Sequence, residues 1–162
     1  MRVYVGTYKK YTAGSLFGAW LDIEDYEDKE AFHEACADLH SDEEDPEFMF
    51  QDWEGIPDAL ISECEINEDL WDYLAFDDGN NGEAKAAYVY LNDGWSESEF
   101  QDSYRGKYGS WEAMAEELLE ETGELEDIPE RLRYYFDYAA YARDIRVGGD
   151  MDEHNGHFFW AR

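Results

Sequence analysis

Between Asp22 and Glu83 the chain carries 24 acids and a single base, Lys29. Carboxylates in such numbers cannot go inside, because an unpaired buried charge is strongly destabilising. Every element that folds here must therefore keep an acidic face to water. A chain that could not bury enough apolar surface would stay disordered under this self-repulsion. This one has six Trp, thirteen Tyr and nine Phe, 17% of its residues, so the charge sits on something that folds. At 162 residues it can bury a real core, as one larger domain or as two or three small modules.

The formal net charge is −30. A charge of that size disfavours nucleic acid and anionic membranes as partners and favours cations or a basic protein surface. Its distribution is uneven. Residues 1–21 contain no acid and three bases, Arg2, Lys9 and Lys10. From Arg105 onward there are 14 acids and seven bases. MRVYVGTYKK lacks the apolar core of a signal peptide, and no run approaches the length of a membrane helix. Two cysteines, Cys36 and Cys64, are too few for a disulfide framework. The expectation is a cytoplasmic protein with free thiols.

RVYVGTY alternates as a strand does, with Val3 and Val5 on one face. KKYTAGS reads as a turn and LFGAWLDI as the hairpin partner. DKEAFHEACADLH predicts a helix with Phe32, Cys36 and Leu39 as its buried stripe. EFMFQDW predicts a third strand, which makes the first sixty residues a small α+β unit with an antiparallel sheet. Short helices follow: NEDLWDYLAF, with Leu70, Trp71 and Leu74 at helical spacing; EAKAAYVYLND, where Ala and Lys favour helix over the strand that Tyr-Val-Tyr would favour; and SESEFQDSY, with a capping-box pattern from Ser96 to Glu99. SWEAMAEELLEETG is a helix between a Ser110 N-cap and a Gly123 stop. Pro129 suits the first turn of a last helix, PERLRYYFDYAAYARD. RVGGDMDEHNGHFFWAR reads as two turns and an aromatic strand.

Sites with specific chemistry are sparse. His33, Cys36 and His40 have metal-like spacing on one helix, with Cys64 as a conceivable fourth ligand. Cys36 falls in the apolar stripe, however, where a free cysteine acts as a small hydrophobe. DDGNNGE begins like a calcium loop, but Gly79 takes the third position and Tyr88 the twelfth, so it reads as a polar turn. His154 and His157 flank a turn and have no nucleophile motif beside them. No phosphate-binding glycine loop and no G-x-S-x-G occurs. Neither a metal nor a cofactor is expected. A carboxylate-pair enzyme stays open as an alternative, as does a protein of halophilic type that uses its acids for solubility.

EELLEETGELEDIPE, residues 116–130, places eight acids in a row of fifteen residues without a base. On a helix starting at Trp111, Glu112, Glu116, Glu117, Glu120 and Glu121 fill the face opposite Trp111, Met114, Leu118 and Leu119. The like-charge pairs 112/116, 116/120 and 117/121 each cost about 0.2–0.5 kcal/mol. Glu120 and Glu121 also lie at the wrong end of the helix dipole. A surface selected for stability would interleave lysines. Duplex DNA is one object with a comparable charge density, about one negative charge per 1.7 Å of axis. Thirty net charges match roughly 15 base pairs on that scale. Such a surface can enter the basic cleft of a DNA-handling enzyme.

Longer words in the sequence carry a resemblance. RVYVGTYKKYTAGSLFGAWLDI at the start, FQDSYRGKYGSWEAMAEELLEETG, and YYFDYAAYARDIRVGGD followed by GHFF resemble the ArdA family of antirestriction proteins. The likeness runs in order over nearly the whole chain. It implies a non-catalytic protein of mobile DNA that mimics bent B-form DNA. The implied subunit is α+β and elongated, with three small modules, and it pairs as a homodimer. The implied target is the type I restriction–modification enzyme, whose methyltransferase core offers a basic DNA groove. Set against the predicted elements, the modules fall at 1–61, an N-terminal sheet plus helix; 62–103, a bundle of short helices; and 104–162, helices packed with a small sheet.

The mimic surface is expected to use Asp22, Glu24, Asp25, Glu27, Glu43, Glu44, Asp45, Glu65, Glu68, Asp69, Asp72, Asp77 and Asp78. It continues with Glu112, Glu116, Glu117, Glu120, Glu121, Glu124, Glu126 and Asp127. Tyr134, Tyr135, Phe136, Tyr138 and Tyr141 are expected in core or dimer packing. Arg131, Arg133, Arg143 and Arg146 are expected to pair with acids, inside the subunit or across the dimer.

Overall fold

A computed structural model describes residues 1–161. The chain divides into two compact units, Met1–Glu97 and a second from Ser98. Each is built on a three-stranded antiparallel sheet, so the fold is α+β in several modules.

In the first unit β1 (Arg2–Thr7) is central, flanked by β2 (Ala19–Asp22) and β3 (Phe48–Glu54). Val3 and Val5 are fully buried, as the alternation predicts. The other face carries Tyr4 against Trp20, with ring centroids 5.5 Å apart. Between β1 and β2 the expected turn contains one helical turn, α1 (Tyr8–Thr12), whose N-cap Thr7 accepts from the Lys10 amide. The next helix, α2 (Lys29–Leu39), is capped by the Asp28 carboxylate at the Ala31 amide, 2.8 Å. It lays Phe32 and Cys36 on the sheet, and Phe32 meets Phe50 at 6.2 Å. Leu39 is only half-buried. The last buried place on this helix goes to its C-cap, His40.

Two further helices complete this unit, α3 (Asp69–Ala75) and α4 (Glu83–Asn92). Leu70 and Tyr73 are buried on α3, whereas Leu74 is half-buried. The Trp71 indole N–H donates to the Tyr26 carbonyl at 3.0 Å, across 45 residues of sequence. Tyr73 and Tyr88 each meet Trp95 edge-on. Lys85, on α4, is buried, and its ammonium donates to the carbonyls of Tyr73 (2.6 Å) and Phe76 (2.7 Å). A cation at the C-terminal end of α3 satisfies orphan carbonyls and suits the helix dipole.

The second unit begins with α5 (Glu97–Ser103), which crosses the boundary between the units, and runs directly into β4 (Tyr104–Lys107). That strand is not legible in the sequence, because four residues interrupted by Gly106 carry little alternation. After α6 (Trp111–Thr122) the expected long last helix is broken. A short α7 (Glu130–Arg133) stops, residues 134–137 form a turn, and Asp137 caps a new helix, α8 (Tyr138–Gly148), through the Ala140 amide at 2.9 Å. The hairpin β5 (Met151–His154) and β6 (His157–Trp160) follows, where the sequence predicts two turns and a single aromatic strand. The sheet order is β4-β6-β5, and α6, α8 and the sheet enclose Met114, Leu118, Ile145, Met151 and Phe158.

Phe158→Ala should lower the unfolding free energy by about 3–5 kcal/mol, as for other buried aromatics. At a protein concentration low enough to keep the chain monomeric, Tyr134→Ala should change it by less than about 0.5 kcal/mol, since that ring faces water in the single subunit. Urea denaturation of both variants decides between this arrangement and a continuous last helix with Tyr134 inside.

Candidate acidic surface

Of the 21 acids expected on the mimic surface, 19 are exposed and two, Glu43 and Asp78, are not. Across the whole chain 39 of 42 acids are exposed. The third exception is Glu153, which accepts from the Gly156 amide at 2.7 Å. Each inward carboxylate thus has a hydrogen bond that compensates its desolvation.

Asp78 organises the loop before α4. It accepts from the amides of Asn80, Gly82 and Lys85, each at 2.9 Å. Burial pushes its pKa up, but these backbone bonds outweigh it and hold the carboxyl below its ordinary range. The DDGNNGE segment is therefore a helix-entry loop built on Asp78.

Glu43 accepts from the Thr7 hydroxyl (2.7 Å) and from the Lys10 ammonium (3.1 Å). Lys10 also reaches Asp42 at 2.7 Å and His40 Nδ1 at 2.9 Å. His40, fully buried, contacts the Val5 carbonyl through Nε2 at 3.2 Å. A carbonyl only accepts and an ammonium only donates, so the hydrogen sits on Nε2. His40, Asp42 and Glu43 bring three potential metal ligands within 4.8 Å of one another. Lys10 already supplies the cation they surround. The metal spacing noted on α2 is not assembled, since Cys36 is buried and its thiol is pushed up to about 12 by burial.

The exposed acids gather into surfaces that the sequence keeps apart. The Trp71–Tyr26 bond draws α3 towards the segment before α2. Glu27, Asp28, Glu30, Glu68 and Asp72 then line one cleft of about 580 Å³ with His33, Trp71 and Lys29. Glu65, Glu68 and Asp69 join Asp58 in a neighbouring cleft of about 500 Å³. Asp22, Glu24, Asp25, Glu44, Asp45 and Asp77 are exposed on the same unit. In the second unit Glu112, Glu116, Glu117, Glu120 and Glu121 all face water, and Met114, Ala115, Leu118 and Leu119 lie beneath. Ser110 caps this helix at the Ala113 amide, and Gly123 ends it at φ 68°. Glu124, Glu126 and Asp127 continue outward. One edge of the face is partly neutralised, because Glu121 pairs with Arg105 and Glu117 accepts from the Tyr108 hydroxyl at 3.1 Å. Glu112, Glu116 and Glu120 have no cation partner among the described residues.

A family model for Antirestriction protein (ArdA) matches residues 3–159. The chain belongs to the ArdA family. No curated protein matches it.

The aromatic and basic residues assigned to packing in this ArdA chain divide in two. Phe136 packs on Tyr138 and Tyr141 at 5.0 and 6.0 Å, and Tyr141 lies against the core. Tyr134 and Tyr135 are 86% and 84% exposed, beside Leu132 at 47%, and Val147 on α8 is 80% exposed. The break before Asp137 turns the two tyrosines outward. The arginines largely do not pair with carboxylates inside the subunit. Arg133 donates to the carbonyls of Ile128 (3.0 Å) and Glu126 (2.9 Å). Arg146 lies over the Trp111 ring at 5.5 Å. Arg143 reaches Asp144 only at 3.9 Å, with both side chains exposed. Arg131 is exposed, with no ion pair among the described residues.

The Lys10 cluster predicts a pH dependence. The Thr7 hydroxyl and then Lys10 hold Glu43 below its ordinary value of 4.5, and Lys10 does the same for Asp42, whose ordinary value is 3.8. A depressed carboxyl contributes stability above its unfolded pKa and loses it as pH falls through the folded one. The wild type should therefore lose this contribution as pH falls below about 4.5. Lys10→Met should be less stable at pH 7 and should show a smaller loss between pH 5 and 3, read from urea midpoints at each pH.

Proposed function

We propose that this chain is an antirestriction protein that works as an acidic stand-in for duplex DNA. In this reading its exposed carboxylates enter the basic DNA groove of a type I restriction–modification enzyme's methyltransferase core and exclude DNA from it. Incoming mobile DNA escapes restriction, and no bond is made or broken. Membership of an antirestriction family supports the biological role. The observation that carries the mechanism is the placement of the charge: 39 of 42 acids face water, and the face of α6 presents Glu112, Glu116 and Glu120 without a neutralising partner among the described residues. Carboxylates at i and i+4 lie about 6 Å apart along a helix, a spacing compatible with a row of phosphates. Lys and Arg groups that meet phosphates can meet such carboxylates by the same charge-assisted hydrogen bonds.

We further propose that the chain acts as a homodimer, with the modules 1–61, 62–103 and 104–162 presenting their acids in succession. The exposed set of Leu132, Tyr134, Tyr135 and Val147 supports a self-contact in the last module. Arginines in this stretch, Arg131 and Arg143, lower the repulsion that two chains of charge −30 would otherwise feel.

The affinity for a purified type I methyltransferase core should fall at least tenfold between about 50 and 200 mM salt, and duplex DNA should compete with the protein. Glu112→Gln with Glu116→Gln and Glu120→Gln should weaken binding and flatten the salt dependence without lowering the melting temperature. Affinity independent of salt, or simultaneous binding of DNA and protein in one groove, would overturn the mimicry. In light scattering, Tyr134→Glu with Val147→Glu should run as a monomer where the wild type runs as a dimer.

A further inference from the structure

Residues of α6, α8 and β6 line a cleft of about 560 Å³ in the second unit. Leu118 and Ile145, both buried, supply apolar surface together with Tyr141 and Trp160. Glu124 and Asp150 supply charge. Both are exposed, and neither has an ion pair among the described residues. Burial, and then the charges of Glu124 and Asp150, push the Tyr141 hydroxyl up, so both carboxylates bear on one ring of the cleft.

The exposed patch of this unit adjoins that cleft and has the opposite charge. Phe136, next in the chain to Tyr135, packs on Tyr141 at 6.0 Å, and Val147 stands close in the chain to Gly149, another lining residue. Residues 131–147 hold four arginines and two acids, a surplus of positive charge in a chain of net charge −30. Arg143 faces Asp144 at 3.9 Å, and Arg146 lies over Trp111. Arg131 is exposed and has no ion pair among the described residues. The Tyr135 amide donates to the Leu132 carbonyl at 3.0 Å, which carries the turn of α7 onward. Arg131, Tyr134 and Tyr135 then fall at i, i+3 and i+4, on one face. Glu130 lies about 100° away around that turn.

We propose that in the homodimer Arg131 of one copy, with Tyr134 and Tyr135 beside it, seats in the Glu124–Asp150 cleft of the other, and that two-fold symmetry repeats the contact. The proposal rests on the reading that the chain pairs through this patch, and adds the site that receives it. A symmetric contact needs both halves side by side on each copy, and this unit carries them so. A guanidinium suits two carboxylates, while its stem and the tyrosine rings suit Leu118, Ile145 and Trp160. The positive surplus makes the patch a poor fit to a basic DNA groove and a good one to an acidic copy of itself.

The test reads the dimer dissociation constant of the full chain by sedimentation equilibrium. Arg131→Glu should raise it about tenfold or more, and so should Glu124→Arg with Asp150→Arg. The second result is the sharper one. That variant is less negative overall, so general repulsion alone would tighten its dimer. An equimolar mixture of the two variants should recover the wild-type constant within about threefold, because both contacts of the mixed dimer pair opposite charges. Urea midpoints check that the fold stands, and Glu124→Arg alone replaces the double variant where that one folds poorly. Unchanged or tighter dimers in the variants, or a mixture no tighter than its parents, would overturn the proposal and leave the dimer standing. An intact dimer of the Glu124→Arg, Asp150→Arg variant that binds a purified type I methyltransferase core more weakly would overturn it too, and give the cleft to a cation of the enzyme. A wild type that stays monomeric would overturn the dimer reading itself.

Discussion

The repulsion among 42 carboxylates is the constraint under which the rest of the structure is built. It is met by keeping nearly all of them in water and giving the three inward ones dedicated donors, from Thr7 and Lys10, from the loop before α4, and from Gly156. What holds the chain together against that repulsion is aromatic packing. Phe32 on Phe50, Tyr73 and Tyr88 on Trp95, and Trp111 on Phe158 at 4.9 Å are spread through both units. Large rings bury much area for each residue spent, which suits short helices such as α3 and α6 whose outer faces are acidic.

The few cations are deployed in the same sense. Lys10 fills the centre of the His40–Asp42–Glu43 group. Lys85 and Arg133 are given to backbone carbonyls, and Arg105 to one edge of α6. Lys85 and Arg133, bound to backbone carbonyls, do not neutralise the outer face, and Arg105 takes only one edge of it. A protein that uses acids only to stay dissolved has no evident reason to withhold its lysines and arginines from the acidic faces, where interleaved pairs would add stability. A protein that must look anionic to a basic groove does.

Much of the fold was legible where one signal was strong and local. Ser110 and Gly123 bracket α6 as read, and the Asp28-capped α2 and the β1–β2 hairpin follow from periodicity and turn chemistry. The failures share a cause. The run from Pro129 to Asp144 has no glycine to stop a helix, so periodicity carried it straight through. Asp137 could have signalled a new N-cap, but an acid in so acidic a chain stands out little. The same crowding hid the inward carboxylates. Nothing in SDEEDPE separates Glu43 from Glu44; only the arrival of Thr7 and Lys10, more than thirty residues earlier, selects it.

The acidic surface was legible as composition but not as geometry. The residues around Glu27 and those around Asp72 are separate runs until Trp71 bonds to Tyr26 and sets them on one cleft. An electrostatic surface of this kind is a collective property. Its strength depends on how many carboxylates share a face and how few cations interrupt it, and long-range contacts determine both. This is also why single acids are poor markers of function here. Removing one from an exposed face changes a screened, many-body interaction slightly, whereas moving Trp71 would shift several acids at once.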